Sequence, residues 1–227
     1  MTQRSKRYEK ARKMVELGRR YALPEAVALL KRLPATKFDE SVSLVVKLGI
    51  DSKKSDQIVR GAFSLPHGIG KSVRVCVFAE GEHAEAAKQA GAEAVGGQDL
   101  ADRILGGWMD FDVAIAHPGM MRVVGKLGKV LGPQGKMPSP KAGTVTDAIG
   151  KAVGEFKAGK IEFRNDAGGN VHAVMGKKSF DESKLAQNIE AFLGHVQSLR
   201  PATTKGNFIL GAHVSTTMSP GIELAVA

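Results

Sequence analysis

The sequence predicts an α/β protein made of two parts. One is an α+β outer domain with an antiparallel sheet, split in the chain, and the other is a parallel-sheet α/β domain inserted into it. Three observations predict this. Apolar and small or polar residues alternate over 41–50, the mark of a strand with one face in a core. Short apolar runs alternate with helical stretches over 73–116, the mark of a parallel sheet covered by helices. Charge is distributed unevenly: residues 1–67 carry 15 basic and 7 acidic groups and 160–227 carry 7 and 6, whereas 68–159 carry 11 and 10.

The elements follow in order. Tyr8, Ala11, Val15 and Gly18 recur at spacings of three and four among many cations, which predicts a basic helix with a thin apolar face. Leu23-Pro24-Glu25 opens a second helix, with Pro at the first helical position and an acid in the first turn. Val27, Leu29, Leu30 and Leu33 form its buried face, and Pro34 stops it. Val42, Leu44, Val46, Leu48 and Ile50 line the buried side of the strand at 41–50. Strands are expected at 73–79, 93–96 and 112–116, with helices near 82–90, 98–107, 119–131 and 146–157. Residues 161–164 and 171–175 read as a two-stranded hairpin around Asp166-Ala-Gly-Gly-Asn170. Asp181 caps a helix whose apolar face holds Leu185, Ile189, Phe192, Leu193 and Val196. A last strand is expected at about 206–217, with Phe208, Leu210, Ala212 and Val214 on one side. The outer domain therefore spans 1–67 plus 160–227 and the insert spans 68–159, joined through Ser64–Gly68 and Phe156–Gly159. Two crossings between domains predict a hinge.

Composition narrows the function. The chain has 227 residues, 43% hydrophobic content and a net charge of +10, so a sizeable core and an anionic partner are both expected. One cysteine excludes a disulfide framework and a cysteine-based zinc site. No apolar stretch approaches the ~20 residues of a membrane span, so no membrane partner is expected. The basic N-terminus lacks the apolar core of a secretion signal, and Glu9 and Glu16 speak against an organellar transit peptide. A cytoplasmic protein is the expectation. A membrane-surface role would need a stronger amphipathic anchor than the first helix provides.

Several motifs carry chemistry or imitate it. Gly68-Ile-Gly70-Lys71-Ser72 resembles the end of a phosphate loop, but Leu65 stands where the first glycine belongs and the run precedes a strand. Gly125–Lys136 and its continuation to Val145 are dense in Gly and Lys. They fit a phosphate cradle or an ordered loop whose glycines set turns. The six histidines show no metal-ligand spacing, Cys76 lies in an apolar strand, and Asp110 and Asp112 read as turn and cap residues, so no cofactor and no metal are expected. Aromatics are only 5%, too few for a stacking sheet; contacts to backbone, shape and 2′-hydroxyls of structured RNA fit better. Ser215–Gly221 offers hydroxyls, exposed backbone and Met218, and Lys37-Phe38-Asp39-Glu40 offers a comparable set, with Phe38 either contact or core.

Together, Gly61–Lys71, Leu131–Val145, Ile161–Asp166, Gly107–Asp112 and Ser215–Met218 resemble, nearly end to end, the L1 family of bacterial large-subunit ribosomal proteins. The resemblance implies a split rRNA-binding domain with a Rossmann-like insert. It implies direct binding to 23S rRNA, a mobile stalk near the E site, help in moving and releasing E-site tRNA, and repression of translation through its own operon mRNA. It also implies a monomer when off the ribosome, and no enzyme. By matching motif, the RNA-binding residues are Lys37, Phe38, Glu40, Arg164, Asp166, Thr217 and Met218. Lys and Arg would meet phosphates, while Glu40 and Asp166 would accept from 2′-hydroxyls or base amines, or orient a cation. Ser219 departs from the family's glycine, which puts backbone contact there in question. The alternative is a nucleotide-binding enzyme using the insert, and fold class alone does not favour it.

Overall fold

The computed structural model describes residues 4–16, 18–54 and 56–225. In chain order the elements are α1 (Lys6–Met14), α2 (Leu23–Arg32), β1 (Ser41–Leu48), β2 (Arg60–Ser64), β3 (Val75–Phe78), α3 (Glu82–Gln89), β4 (Ala94–Gly96), α4 (Gln98–Leu105) and β5 (Val113–Ala116). They continue with α5 (Met121–Gly125), α6 (Gly128–Leu131), α7 (Ile149–Ala158), β6 (Lys160–Arg164), β7 (Asn170–Lys177), α8 (Glu182–Ser198), β8 (Ile209–Thr216) and β9 (Ile222–Leu224). The fold is mixed α/β, with one antiparallel sheet and a separate parallel sheet.

The chain divides into two compact units, Met1–Gly70 with Ile161–Ala227, and Lys71–Lys160. The expected joints lay after residues 67 and 159. The first division falls later because the 65–70 turn is fastened to the outer unit. Asn188 on α8, fully buried, donates to Gly68 O (3.0 Å) and Met175 O (2.8 Å) and accepts from His67 N (3.1 Å). Gly70 has φ +68°, and a Cβ there would stand 2.5 Å from the Phe180 ring, so both conformation and contact require glycine.

In the outer unit the sheet order is β7-β1-β8-β9, with β1 antiparallel to both neighbours. Val42, Leu44, Val46 and Leu48 are buried, as the alternation demands. On α8 the buried residues Leu185, Asn188, Ile189, Phe192 and Val196 fall on one helical stripe. Ser5 Oγ caps α1 by accepting from Tyr8 N (3.3 Å), and Glu9 and the Arg12–Lys13 pair sit where the helix dipole favours each charge. Of the apolar face expected for α1, Ala11 is buried in the helix, Val15 is its C-cap and Gly18 lies beyond it.

Three expectations fail here. Residues 161–164 and 171–175 do not pair as a two-stranded hairpin: the chain turns at 166–170, where an Asn165–Val171 bridge and the Asp166 N–Asn170 O hydrogen bond (2.8 Å) join its sides, but β6 pairs with β2 and β7 with β1. The alternating Val171, Ala173 and Met175 match the apolar face of β1, and burial there decides the pairing. Leu210 is 52% exposed rather than buried, because the register with β1 shifts between Lys47–Gly211 and Leu48–Ile209 and leaves it as the extra residue of a bulge. Helix 119–131 is a 3-10 turn (Pro118–Met120) followed by the short α5 and α6. Glycines at both ends of the break weaken helix propensity there.

The inner unit has a parallel sheet of order β4-β3-β5 with α3, α4 and α7. Phe78, Phe111, Ile104, Leu127 and Leu131 pack its core. Cys76 is fully buried, and that burial pushes its thiol up to about 12 despite the nearby Arg103. The Gly- and Lys-rich run is largely architectural in this unit. Lys136 Nζ donates to Met109 O (3.2 Å) and Phe111 O (2.6 Å), Thr144 Oγ1 accepts from Ser139 N (2.8 Å), and Val145 bridges to Ala116 beside β5.

Candidate nucleic-acid interface

Five of the seven predicted site residues meet at one end of the outer sheet. Where β1 begins and β8 ends, Thr217 N donates to Ser41 O (3.1 Å) and Ser41 N donates to Thr217 Oγ1 (3.1 Å). This double link brings the Lys37–Glu40 segment and the Thr217–Met218 turn together although 176 residues separate Ser41 from Thr217. Phe38 is 54% exposed and Met218 is 48% exposed, so neither is core. Lys37 and Thr217 are exposed as well. Two large apolar side chains left in water beside cations are costly unless a partner covers them.

Glu40 lies beneath this surface. Its side chain is 2% exposed and stands 3.7 Å from both Arg7 Nη1 and Lys178 Nζ. Those distances exceed hydrogen-bond range, and Oε1 has no hydrogen-bond partner among the described residues. The carboxylate faces two cations rather than solvent. Arg7 Nη2 also donates to Met218 O (3.3 Å), and Lys178 Nζ to Leu33 O (2.9 Å). Lys177 Nζ donates to Ser41 Oγ (2.9 Å), and Asp39 accepts from Ser179 N (3.2 Å) and Oγ (2.8 Å). Ser219 turns its hydroxyl inward: Oγ accepts from Thr216 N (2.8 Å) and donates to Pro220 O (3.0 Å). The Ser219 side chain is thus spent on closing the turn.

Arg164 and Asp166 lie elsewhere. The register pairs Lys47 with Asn170 at the far end of β1, six residues or about 20 Å from Ser41. There the Asp166 carboxylate accepts from Asn170 N (2.7 Å), Gly168 N (2.8 Å) and Asn170 Nδ2 (3.0 Å), with His172 Nε2 at 3.4 Å. These bonds, the Asn170 amide foremost, hold its acid down to about 2. Ser52 Oγ donates to Ala167 O (2.6 Å) and stacks the 51–54 loop, with exposed Lys53 and Lys54, against the Asp166 loop. Between the two ends, the sheet face turned away from the buried one carries Lys47, His172, Val174 and His213, all exposed.

Sequence reasoning missed Arg7, Lys177 and Lys178 as organisers of the first end, and Lys47, Lys53, Lys54 and His172 at the second. Alternation in β1 already placed Lys47 on the outer face. The positions of Arg7 and Lys178 depend on tertiary contacts that no local pattern encodes. The Gly68–Ser72 run, where the outer unit gives way to the inner one, leads into β3 without opening a helix, and Lys71 Nζ pairs with Asp112 (2.9 Å). Burial alone would raise the Asp112 acid, but its bonds from Lys71 and Arg74 outweigh that and lower it. Among the described residues no group of three or more His, Cys, Asp or Glu side chains is arranged to hold a metal ion. No helix of the described residues is long and apolar enough to cross a membrane.

Comparison with known proteins agrees with this architecture. Residues 29–220 match the ribosomal protein L1p/L10e family. The chain is 57% identical over 225 residues to the large ribosomal subunit protein uL1 of Fervidobacterium nodosum, covering 99% of this chain and 96% of that one. It is 54% identical to the uL1 of Kosmotoga olearia (99% and 97% covered) and 52% identical to that of Dichelobacter nodosus (100% and 98%).

Proposed function

The chain belongs to the ribosomal protein L1p/L10e family, a structural component of the large ribosomal subunit, and from that premise we propose that its outer unit binds 23S rRNA directly. In this reading the protein forms a mobile stalk near the E site and assists the movement and release of E-site tRNA. Off the ribosome, as a monomer in the cytoplasm, it binds its own operon mRNA and represses translation.

The observation that carries the reading is the exposed Phe38 and Met218 at one sheet end, set among Lys37, Arg7 and Lys177. Apolar side chains of this kind pack on bases and riboses while the cations meet phosphates. The second end supplies Arg164, Lys47, Lys53 and Lys54, so a folded RNA held at both ends would lie along the open sheet face. In the inner unit the exposed Arg122, Lys126, Lys129 and Lys141 are where tRNA would be met. No observation favours the nucleotide-binding enzyme.

The test is binding of the full chain to a 23S rRNA transcript by filter retention, followed by crosslinking to map peptides and nucleotides. Crosslinks in 37–41 and 217–219 are expected. Failure to bind the transcript, or crosslinks confined to 71–160, would refute this placement.

A further inference from the structure

We propose that the groove between the start of α1 and the Thr216–Ser219 turn receives one unpaired nucleotide of the bound RNA, its base stacked on Tyr8 and Arg4. The inference rests on the RNA-binding reading and names a subsite of it.

The groove holds about 430 Å³, within the range of about 300–1,000 Å³ in which small-molecule sites fall. One wall is Arg4, Ser5 and Tyr8 and the other is Thr217, Met218 and Ser219, with Arg7 crossing between them. Both walls are fixed in advance. Ser5 Oγ holds the first turn of α1 through Tyr8 N, Arg7 ties α1 to Met218 O, and Ser219 Oγ closes the facing turn. A groove whose walls are already bonded gives up little conformational entropy when filled.

The surfaces suit a nucleobase. The Arg4 guanidinium carbon lies 4.8 Å from the Tyr8 ring centroid, so the cation lies over the ring. Both are surfaces on which bases stack. Met218 supplies a soft apolar wall, and the Thr217 and Ser5 hydroxyls can meet a base edge or a 2′-hydroxyl. Charge suits the occupant: among the described residues two guanidiniums and no carboxylate line the groove, with Arg7 also facing the buried Glu40 at 3.7 Å, which fits a residue carrying its own phosphate. A base in a duplex keeps its faces covered by neighbours, so only a bulged or loop nucleotide can enter.

The experiment uses the full chain and the 23S rRNA transcript. Ultraviolet crosslinking first identifies the nucleotide joined to the Arg4–Tyr8 peptide, and a stalk fragment is then made abasic at that position. Tyr8→Ala should weaken binding to the intact fragment about 5- to 150-fold, while Tyr8→Trp, which keeps a stacking ring, stays within roughly 3-fold of wild type. The abasic fragment should bind wild type as weakly as intact RNA binds Tyr8→Ala, and combining the two should add little. Should Tyr8→Ala fail to fold, the abasic fragment with wild-type protein carries the test. Equal affinity of wild type for intact and abasic RNA overturns the subsite, as does crosslinking of this peptide only to protein in ribosomes. Thr217→Val then separates the failures. If it weakens binding while Tyr8→Ala does not, only the subsite falls; if wild type ignores the transcript, the RNA reading falls with it.

Discussion

Thr217 gives the sharpest test of the interface, because its hydroxyl has one role inside the protein and a second is predicted outside it. Oγ1 accepts from Ser41 N at 3.1 Å, while its own proton has, among the described residues, only Ser41 O at 3.5 Å, the limit of hydrogen bonding. The proton is therefore available to an RNA acceptor. Thr217→Val keeps the shape and removes both functions. Thr217 is exposed, so water can reach Ser41 N–H in the variant, and the outer unit should lose only about 0.5–1 kcal/mol of stability. In a water-poor RNA interface the lost bond should cost about 1–3 kcal/mol, or roughly 5- to 150-fold in Kd. Thr217→Ser retains the hydroxyl and should stay within about 3-fold of wild type. Thermal melts of the isolated protein measure the first quantity, and titration against the transcript the second. The reasoning is refuted if Thr217→Val binds as wild type does, or if Thr217→Ser loses as much as Thr217→Val.

The remaining expectations rest on other contacts. Affinity for rRNA should fall steeply with salt; with ~5 phosphates neutralised the log–log slope is roughly −3 to −5, and a flat response would contradict a cationic interface. The Asp166 acid sits at about 2, below its usual 3.8, so its hold on the 166–170 loop is complete above about pH 4 and is lost as pH falls through about 2. The amide signals of Gly168 and Asn170 should titrate with that midpoint, His172→Ala should raise it, and a midpoint near 4 would dissolve the assignment. Cys76, buried and with its thiol at about 12, should resist thiol reagents at pH 8 until the inner unit unfolds; rapid labelling of the native protein would contradict the burial. Asn188→Ala orphans Gly68 O, Met175 O and His67 N–H in or near the core, and should destabilise the outer unit by about 2–5 kcal/mol in denaturant melts. A loss under 1 kcal/mol would mean these bonds do not fasten the 65–70 turn.

Much of the fold was legible because burial imposes a period. The alternation of 41–50, the stripe on α8 and the apolar runs of the parallel sheet all follow from which face meets a core. Pairing was less legible. Ile161–Arg164 and Val171–Met175 stand close enough in sequence for a hairpin, yet β7 matches the apolar face of β1 and pairs there instead. Leu210 fits the alternation of its strand until a bulge turns it outward, and a bulge leaves no mark on hydrophobic period. β2 and β9 are five and three residues long, too short for periodicity to separate from loop. For the candidate site, the motifs named residues at both sheet ends, all exposed but Glu40, and did not tell that the ends are distinct. That distinction is a matter of register, which sequence proximity does not carry.

The sheet order explains how such a site can be built from remote segments. β1, from the first third of the chain, lies between β7 and β8 from the last third, so the loops at either end of β1 are flanked by residues 164–179 and 211–219. Residues 71–160 intervene, and closing a loop of that length costs only roughly 2 kcal/mol more than closing a short turn, because the entropy grows with the logarithm of length. The insert has its own buried core in Phe78, Phe111, Leu127 and Leu131. Neither site end draws a residue from it. The surface at Ser41 and Thr217 therefore depends on the outer sheet being paired, and on Glu40 being buried against Arg7 and Lys178, not on the state of the inner unit. A carboxylate with an unpartnered oxygen is an expensive way to hold two cations, and an apolar replacement would pack the same space at lower cost. What the carboxylate provides is position. It fixes α1 through Arg7 and the Lys178 segment through its ammonium, and so brings three stretches of chain to the end of the sheet where Phe38 and Met218 are exposed.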